Sequence, residues 1–341
     1  MRNSERRAWV RAAAFLVFLA LVNSLLNFVL MPAGNFTRRM LEDLHRSEPL
    51  DVVFCGSSLA LYHFDPDVLE PALNARVFDL GASSADFPAS YYLLKEMFRT
   101  QSPRLVVLAV EARQYARQQE DPLVYVSLAP YLKSPLIRAR YYWATAQDGS
   151  YLDRLLWWRG YHVKGPRSAL QNVREKLFPD PDPAPQDGLQ YVRDGYVYVD
   201  PSAPAAPLPD TVDETGPEDF TGESREYVQK IARLCRQHGA QLMLVNTPRP
   251  AQALRAMPRY FEADAAIAES ARQAGVPYYN FNLARPELFS PRPEMFRDLS
   301  HMNADGARAF SAAFASFLQR LAAGEDVSGL FYTPEQAKER L

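Results

Sequence analysis

Cysteine, histidine and net charge are all scarce in this chain, and each scarcity removes a class of function. Two cysteines, Cys55 and Cys235, are too few for a disulfide framework or for a structural zinc site, and their neighbours lack ligand spacing. Cys55 ends an apolar run and Cys235 falls in a helical pattern, so both read as small buried hydrophobes. A net charge of −2 spread over 341 residues creates no field that would recruit nucleic acid, and no basic stripe interleaved with aromatics is present. Nucleic acid is therefore not an expected partner. Only five histidines are available for acid–base or metal chemistry, which makes the position of each one informative.

Long apolar runs are also lacking, with one exception. Ala12 to Met31 contains no charged residue, and its 20 residues match the length that crosses about 30 Å of hydrocarbon. Arg2, Arg6, Arg7 and Arg11 precede it, so the positive-inside rule keeps the N-terminus cytoplasmic and puts everything after Met31 outside. A cleaved signal would have a shorter apolar core, about 7–15 residues, and a small-x-small site. Met31-Pro-Ala-Gly-Asn35 is a poor version of such a site. The expectation is a single-pass protein of the cytoplasmic membrane, held by its N-terminal helix, with its main domain on the extracytoplasmic, periplasmic side. The segments are then a cytoplasmic N-terminus (1–11), an anchor (12–31), a juxtamembrane segment (32–48), a main domain (49–323) and a C-terminal tail (324–341).

Within the main domain, short apolar runs stop at glycine or a polar residue: Asp51–Cys55, Arg76–Leu80, Leu105–Val110, Gln241–Val245 and, more weakly, Pro277–Phe281. They lack strict alternation, which is how strands buried on both faces of a parallel sheet read. Helical patterns separate them, beginning near Asp65-Pro66, Ala89, Ser224, Ala263 and Ala304; the last carries an apolar stripe of Phe310, Phe314, Phe317, Leu318 and Leu321. The fold class is α/β: a three-layer α/β/α domain around a central parallel sheet of about five strands. The rhythm breaks over about 116–221. That region reads as an insertion after the third strand, with a helical aromatic part (Tyr125–Trp158), a Pro- and Asp-rich loop (Asp180–Glu218), and a hairpin turning at Asp194-Gly195. It either shapes a substrate cleft or packs as an appendage.

Two motifs carry chemistry. Gly56-Ser57-Ser58 follows the first strand directly, where a hydroxyl can project into a cleft and nearby amides can stabilise an oxyanion. Asp298-Leu-Ser-His301-Met-Asn303 precedes the last long helix. An alkyl hydroxyl needs a base near neutrality, which His301 supplies; that base needs an acceptor to fix its tautomer, which Asp298 supplies. His63, Arg249, Glu111 and Arg113 are weaker candidates for substrate contact. His63 lies close after Ser58, Arg249 follows the fourth strand, and Glu111 and Arg113 follow the third, where they could pair with each other.

Strand-Gly-x-Ser near the start, paired with Asp-x-x-His-x-Asn before the final helix, resembles the SGNH (GDSL-like) hydrolase superfamily over about Asp51 to Leu321. The resemblance implies a flavodoxin-like fold, with Ser58 as nucleophile, Asp298 and His301 as acid and base, and an oxyanion hole from the Ser58 and Gly81 amides. Two positions depart from the pattern. Ser57 replaces the usual Asp, and Ala109-Val-Glu-Ala-Arg113 offers no third-block Asn. With the N-terminal anchor, these departures resemble a membrane-anchored branch that includes the D-alanyl transfer protein DltD and the alginate O-acetylation proteins. That branch implies an acyl-Ser58 intermediate, a membrane-bound O-acyltransferase as partner, and a cell-surface polymer or glycan as acceptor. A polysaccharide esterase, or a non-catalytic scaffold of an acylation complex, are the alternatives. No metal and no organic cofactor is expected, because the triad supplies nucleophile and base unaided.

Overall fold

Each apolar run becomes a strand because its side chains are taken up on both sides of one sheet. In the computed structural model, which describes residues 3–116, 122–146, 151–161, 165–178, 187–203 and 215–340, the strands in chain order are β1 (Val52–Gly56), β2 (Val77–Gly81), β3 (Leu105–Ala109), β4 (Leu189–Tyr191), β5 (Val197–Val199), β6 (Gln241–Asn246) and β7 (Tyr278–Asn280). Five of them form one parallel sheet in the order β2-β1-β3-β6-β7, and β4 and β5 form a separate antiparallel hairpin. The order places β1 second from the edge and reverses the winding direction between β1 and β3, the position where open α/β sheets leave a crevice at the carboxyl ends of their strands.

Successive side chains of each strand enter different cores. Val53, Cys55, Val106, Leu108, Leu242 and Leu244 pack on one face. Val52, Phe54, Val107, Ala109, Met243 and Val245 pack on the other. The first face is covered by helices α2 (Phe36–Leu44) and α5 (Phe87–Met97) and by the Gly222–Gln237 and Tyr260–Ala274 helices. The second is covered by α4 (Pro66–Leu73) and the Ala304–Ala322 helix, which buries Phe310, Phe314 and Phe317 completely. Burial contributes about 1.5–3 kcal/mol per phenylalanine, so this stripe alone anchors the helix firmly. Both cysteines are free and buried, and burial pushes the Cys235 thiol up to about 12 and the Cys55 thiol higher.

Helix α1 (Asn3–Leu30) has a mean hydropathy of 2.3 over its most apolar window and is long and apolar enough to cross a membrane. The region after β3 is more integrated than an appendage. Tyr125, Leu128 and Tyr141 lie fully inside the first core. The β4–β5 turn closes the free edge of β2, where the Asp79 amide donates to the Asp194 carbonyl at 2.7 Å. Only glycine fits the next position. Gly195 has φ of +84°, and a Cβ there would lie 1.7 Å from the Asp79 carbonyl oxygen. Residues 180–186 and 204–214 of the Asp180–Glu218 loop lie outside the described residues. The C-terminal tail is not a loose end: Val327, Leu330 and Ala337 are buried, and Thr333 forms a capping box with Gln336.

Candidate active site

The strand-to-helix turn at the end of β1 sets the serine. Gly56 has φ of +145°, and a Cβ there would meet the Ala109 carbonyl oxygen at 2.8 Å, so the chain turns sharply beside β3 only because this residue is glycine. Ser57 then caps the short helix α3 (Ser58–Tyr62), its hydroxyl accepting from the Leu59 amide. Ser58 is the first residue of that helix and is half-buried.

The partner loop is tied at its base. Phe296 and Met302 form an antiparallel bridge, and the Arg297 amide donates to the His301 carbonyl at 2.9 Å. Asn303 caps the Ala304–Ala322 helix through the Gly306 amide and also donates to the Glu294 carbonyl. This tight loop presents His301 to Ser58 across 243 residues of sequence, with Ser58 Oγ 2.7 Å from His301 Nε2. On the far side of the ring, His301 Nδ1 lies 2.8 Å from Asp298 Oδ2. Asp298 Oδ1 accepts from the Ser300 and His301 amides, each at 2.9 Å, and from the Ser300 hydroxyl. Burial alone would raise the Asp298 carboxyl. The His301 hydrogen bond and charge, with the two amides, outweigh it and hold the group well below the usual carboxylate range. Asp298 is thus an ionised acceptor that keeps the proton on His301 Nδ1 and leaves Nε2 free to accept from Ser58.

Tyr62 completes the setting. It packs edge-on to the His301 ring, centroids 5.3 Å apart, and is itself buried. Sequence reasoning did not single it out, nor Ser300; the available signal was its place on α3, four residues after Ser58, where a one-turn helix returns a side chain to the same side.

Gly81 ends β2 in register with Gly56, at the same mouth of the sheet as Ser58. The four weaker candidates fare differently. His63 is fully buried, and its Nε2 accepts from the Met302 amide at 3.1 Å. It braces the His301 loop from behind and has no face for substrate, which corrects the expectation of a contact there. Burial, followed by the nearby His301 and Arg249 charges, holds His63 well below its ordinary value, so it stays neutral. Arg249 is also buried, and it forms an ion pair with Glu111. Its guanidinium donates to the Leu299 carbonyl within the triad loop, and its amide donates to Asn282. Glu111 therefore pairs across the sheet with Arg249 and not with Arg113, which is exposed. A small recess lined by Glu111, Asn246, Arg249, Tyr260 and Asp264 adjoins this pair but contains no triad side chain. No cluster of metal-ligating side chains occurs among the described residues.

No family model matches this chain, and no curated protein does. Solved structures similar to it include the following two. One is a GDSL-like lipase from Bacteroides thetaiotaomicron, 12% identical, with a TM-score of 0.33, 84% of this chain covered and 98% of the other. The second is a putative acylhydrolase from Bacteroides fragilis, 10% identical, with a TM-score of 0.34, 84% of this chain covered and 95% of the other. At those scores the functional reading has to stand on the geometry of Ser58, His301 and Asp298.

Proposed function

We propose that this protein transfers acyl groups through an ester on Ser58. The observation that carries the reading is the unbroken hydrogen-bonded chain from Ser58 Oγ through His301 to Asp298. Ser58 Oγ attacks the acyl carbonyl carbon while its proton passes to His301 Nε2. The tetrahedral adduct collapses, the leaving oxygen takes the proton from His301, and the acyl group remains on Ser58. An acceptor hydroxyl then gives its proton to His301 and attacks the ester, and Ser58 recovers its proton. The amides of Ser58 and Gly81 are the proposed oxyanion donors. No asparagine follows β3 to add a third, and loss of one such donor costs about 3 kcal/mol in transition-state stabilisation elsewhere.

The acceptor we favour is a hydroxyl of a cell-envelope polysaccharide or polymer. The acyl group, acetyl or D-alanyl-like, would be delivered by a membrane-bound O-acyltransferase. An apolar N-terminal helix behind four arginines supports that placement at the outer face of the cytoplasmic membrane. With water as acceptor the same chemistry is that of a carbohydrate esterase. A pure scaffold role is the poorest fit to a fully assembled triad. The test uses the full chain with p-nitrophenyl acetate, wild type beside Ser58→Ala, followed by intact mass. An acetyl adduct or nitrophenol release that disappears in Ser58→Ala supports the reading, and candidate glycans then separate transfer from hydrolysis. An adduct that persists in Ser58→Ala sinks it.

A further inference from the structure

The apolar stretch of α1, Ala12 onward, contains two side-chain amides, Asn23 and Asn27, that a purely lipid-facing span would not choose. Both are occupied by the region after β3. The Trp158 amide donates to Asn27 Oδ1 at 3.0 Å, and the Trp158 indole N–H donates to Asn23 Oδ1 at 3.1 Å. Nearer the helix end, Asn172 donates to the Leu30 carbonyl at 2.9 Å, and Lys176 Nζ reaches the Phe28 and Met31 carbonyls. The Gly165–Leu177 helix therefore packs along the outer end of α1, and its lysine satisfies carbonyls that the helix terminus leaves open.

Depth follows from helix geometry. At 1.5 Å per residue, Asn23 lies roughly 12 Å below Met31, most of the way through one leaflet of an about 30 Å hydrocarbon core. Whatever bonds to Asn23 must share that depth. The side chains around these contacts suit it. Trp143, Leu152, Leu155, Leu170, Leu177 and Phe178 are each more than half exposed. Trp143 stacks edge-on with Tyr142, and Tyr142 in turn packs on Tyr151, which joins the Pro135–Thr145 and Tyr151–Leu155 helices. Arg138 lies over the Trp157 ring, next to the residue bonded to α1. On the Gly165–Leu177 helix, Leu170 and Leu177 lie beside Arg167 and Arg174, with a single acidic residue, Glu175, while Lys176 is taken up by the α1 carbonyls. Apolar side chains beside a basic polar face are the composition of a helix lying in a lipid interface.

Accordingly, we infer that this part of the 116–221 region is a second, monotopic membrane contact, seated in the outer leaflet of an anionic phospholipid bilayer and locked to the anchor through Trp158, Asn172 and Lys176. The inference rests on α1 spanning the membrane, and goes beyond it by fixing how the domain sits. A domain held by one flexible tether could face any direction, whereas one held by a helix and an adjoining face has a set height and tilt. The triad would then work at a fixed distance from the lipid surface.

The test uses the full chain in vesicles of phosphatidylcholine and phosphatidylglycerol with no other protein. Both native cysteines are buried, so nitroxides are attached in the single variants Trp143→Cys, Leu170→Cys and Phe178→Cys. Leu19→Cys on α1 and Glu335→Cys on the exposed C-terminal helix serve as references. The ratio of collisions with oxygen to collisions with a water-soluble nickel chelate is expected to be several-fold higher at 143, 170 and 178 than at 335, approaching the value at 19. Values at 143, 170 and 178 equal to that at 335, with 19 still protected, would overturn the inference while leaving the anchor intact. That outcome would point to a protein partner for this face. If 19 also matches 335, the anchor reading fails and the inference fails with it. Retained circular dichroism in each labelled variant excludes unfolding as the source of the signal.

Discussion

Asp298→Asn tests the catalytic reading more sharply than deletion of the serine. The carboxylate has two sides with different demands. Oδ1 accepts from two backbone amides, Ser300 and His301, so whatever replaces it must also accept. An asparagine therefore places its carbonyl oxygen there and its NH2 toward His301 Nδ1, where Oδ2 now lies at 2.8 Å. Two donors cannot share that bond, so the imidazole must present a lone pair at Nδ1 and carry its proton on Nε2. That proton points at Ser58 Oγ, and the base is lost although every atom is nearly in place. The same change in a well-studied serine protease costs about 10⁴ in kcat, and a loss of that order, about 5 kcal/mol of barrier, is expected here. The assay is the rate of acetyl-enzyme formation from p-nitrophenyl acetate, followed by intact mass, with thermal unfolding measured alongside. The loop keeps its amide acceptor, so stability should change little. A variant within about tenfold of wild type would refute a role for Asp298 in setting the tautomer, since wrong-tautomer losses are orders of magnitude larger.

Arg249→Met should destabilise the domain by about 3 kcal/mol in urea unfolding, because it leaves the Glu111 carboxylate without its cation at a largely buried site; Arg249→Met with Glu111→Gln should recover much of the loss. His63 stays neutral when folded and takes a proton readily when unfolded, so its contribution is complete above pH 6.5 and is lost as pH falls below it. His63→Gln, which can still accept from the Met302 amide, should flatten the stability–pH curve below pH 6.5 by up to about 1.4 kcal/mol per pH unit; an unchanged slope would count against the assignment. Gly195→Ala should detach the hairpin from β2, read as faster hydrogen exchange at the Asp79 amide with little change in β1 or β3.

How much of this was legible beforehand depended on how far apart the interacting residues are in sequence. The four longer strands could be read because both faces are buried, so Val52 to Gly56 and Leu105 to Ala109 appear as unbroken apolar runs ending where the chain leaves the sheet. β7 was the weakest because its three residues, Tyr278 to Asn280, are half-polar and feed a buried hydrogen-bond network with Tyr260 and Asp264. Ser58, His301 and Asp298 were legible as two local motifs, although their meeting was a long-range fact. Glu111 and Arg249 were each noticed, yet their pairing spans 138 residues and leaves no local pattern. His63 misled for the opposite reason. Its nearness to Ser58 in sequence suggested nearness to substrate, but one turn of α3 carries it behind the loop it supports.

The hairpin on β2 also bears on how the chain can be trimmed. A strand at a sheet margin offers unpaired amides and carbonyls to any other extended chain, and many proteins aggregate through such margins. Here the Asp194 carbonyl occupies the Asp79 amide from within the same molecule, and Tyr191 secures the turn by accepting from Gly195 and donating to Asp43 at 2.5 Å. An expression design that excised the whole region after β3 as dispensable would therefore uncover a pairing edge beside the active-site mouth. Trimming would have to spare Leu189–Val199, and also Tyr125, Leu128 and Tyr141, which lie inside the first core.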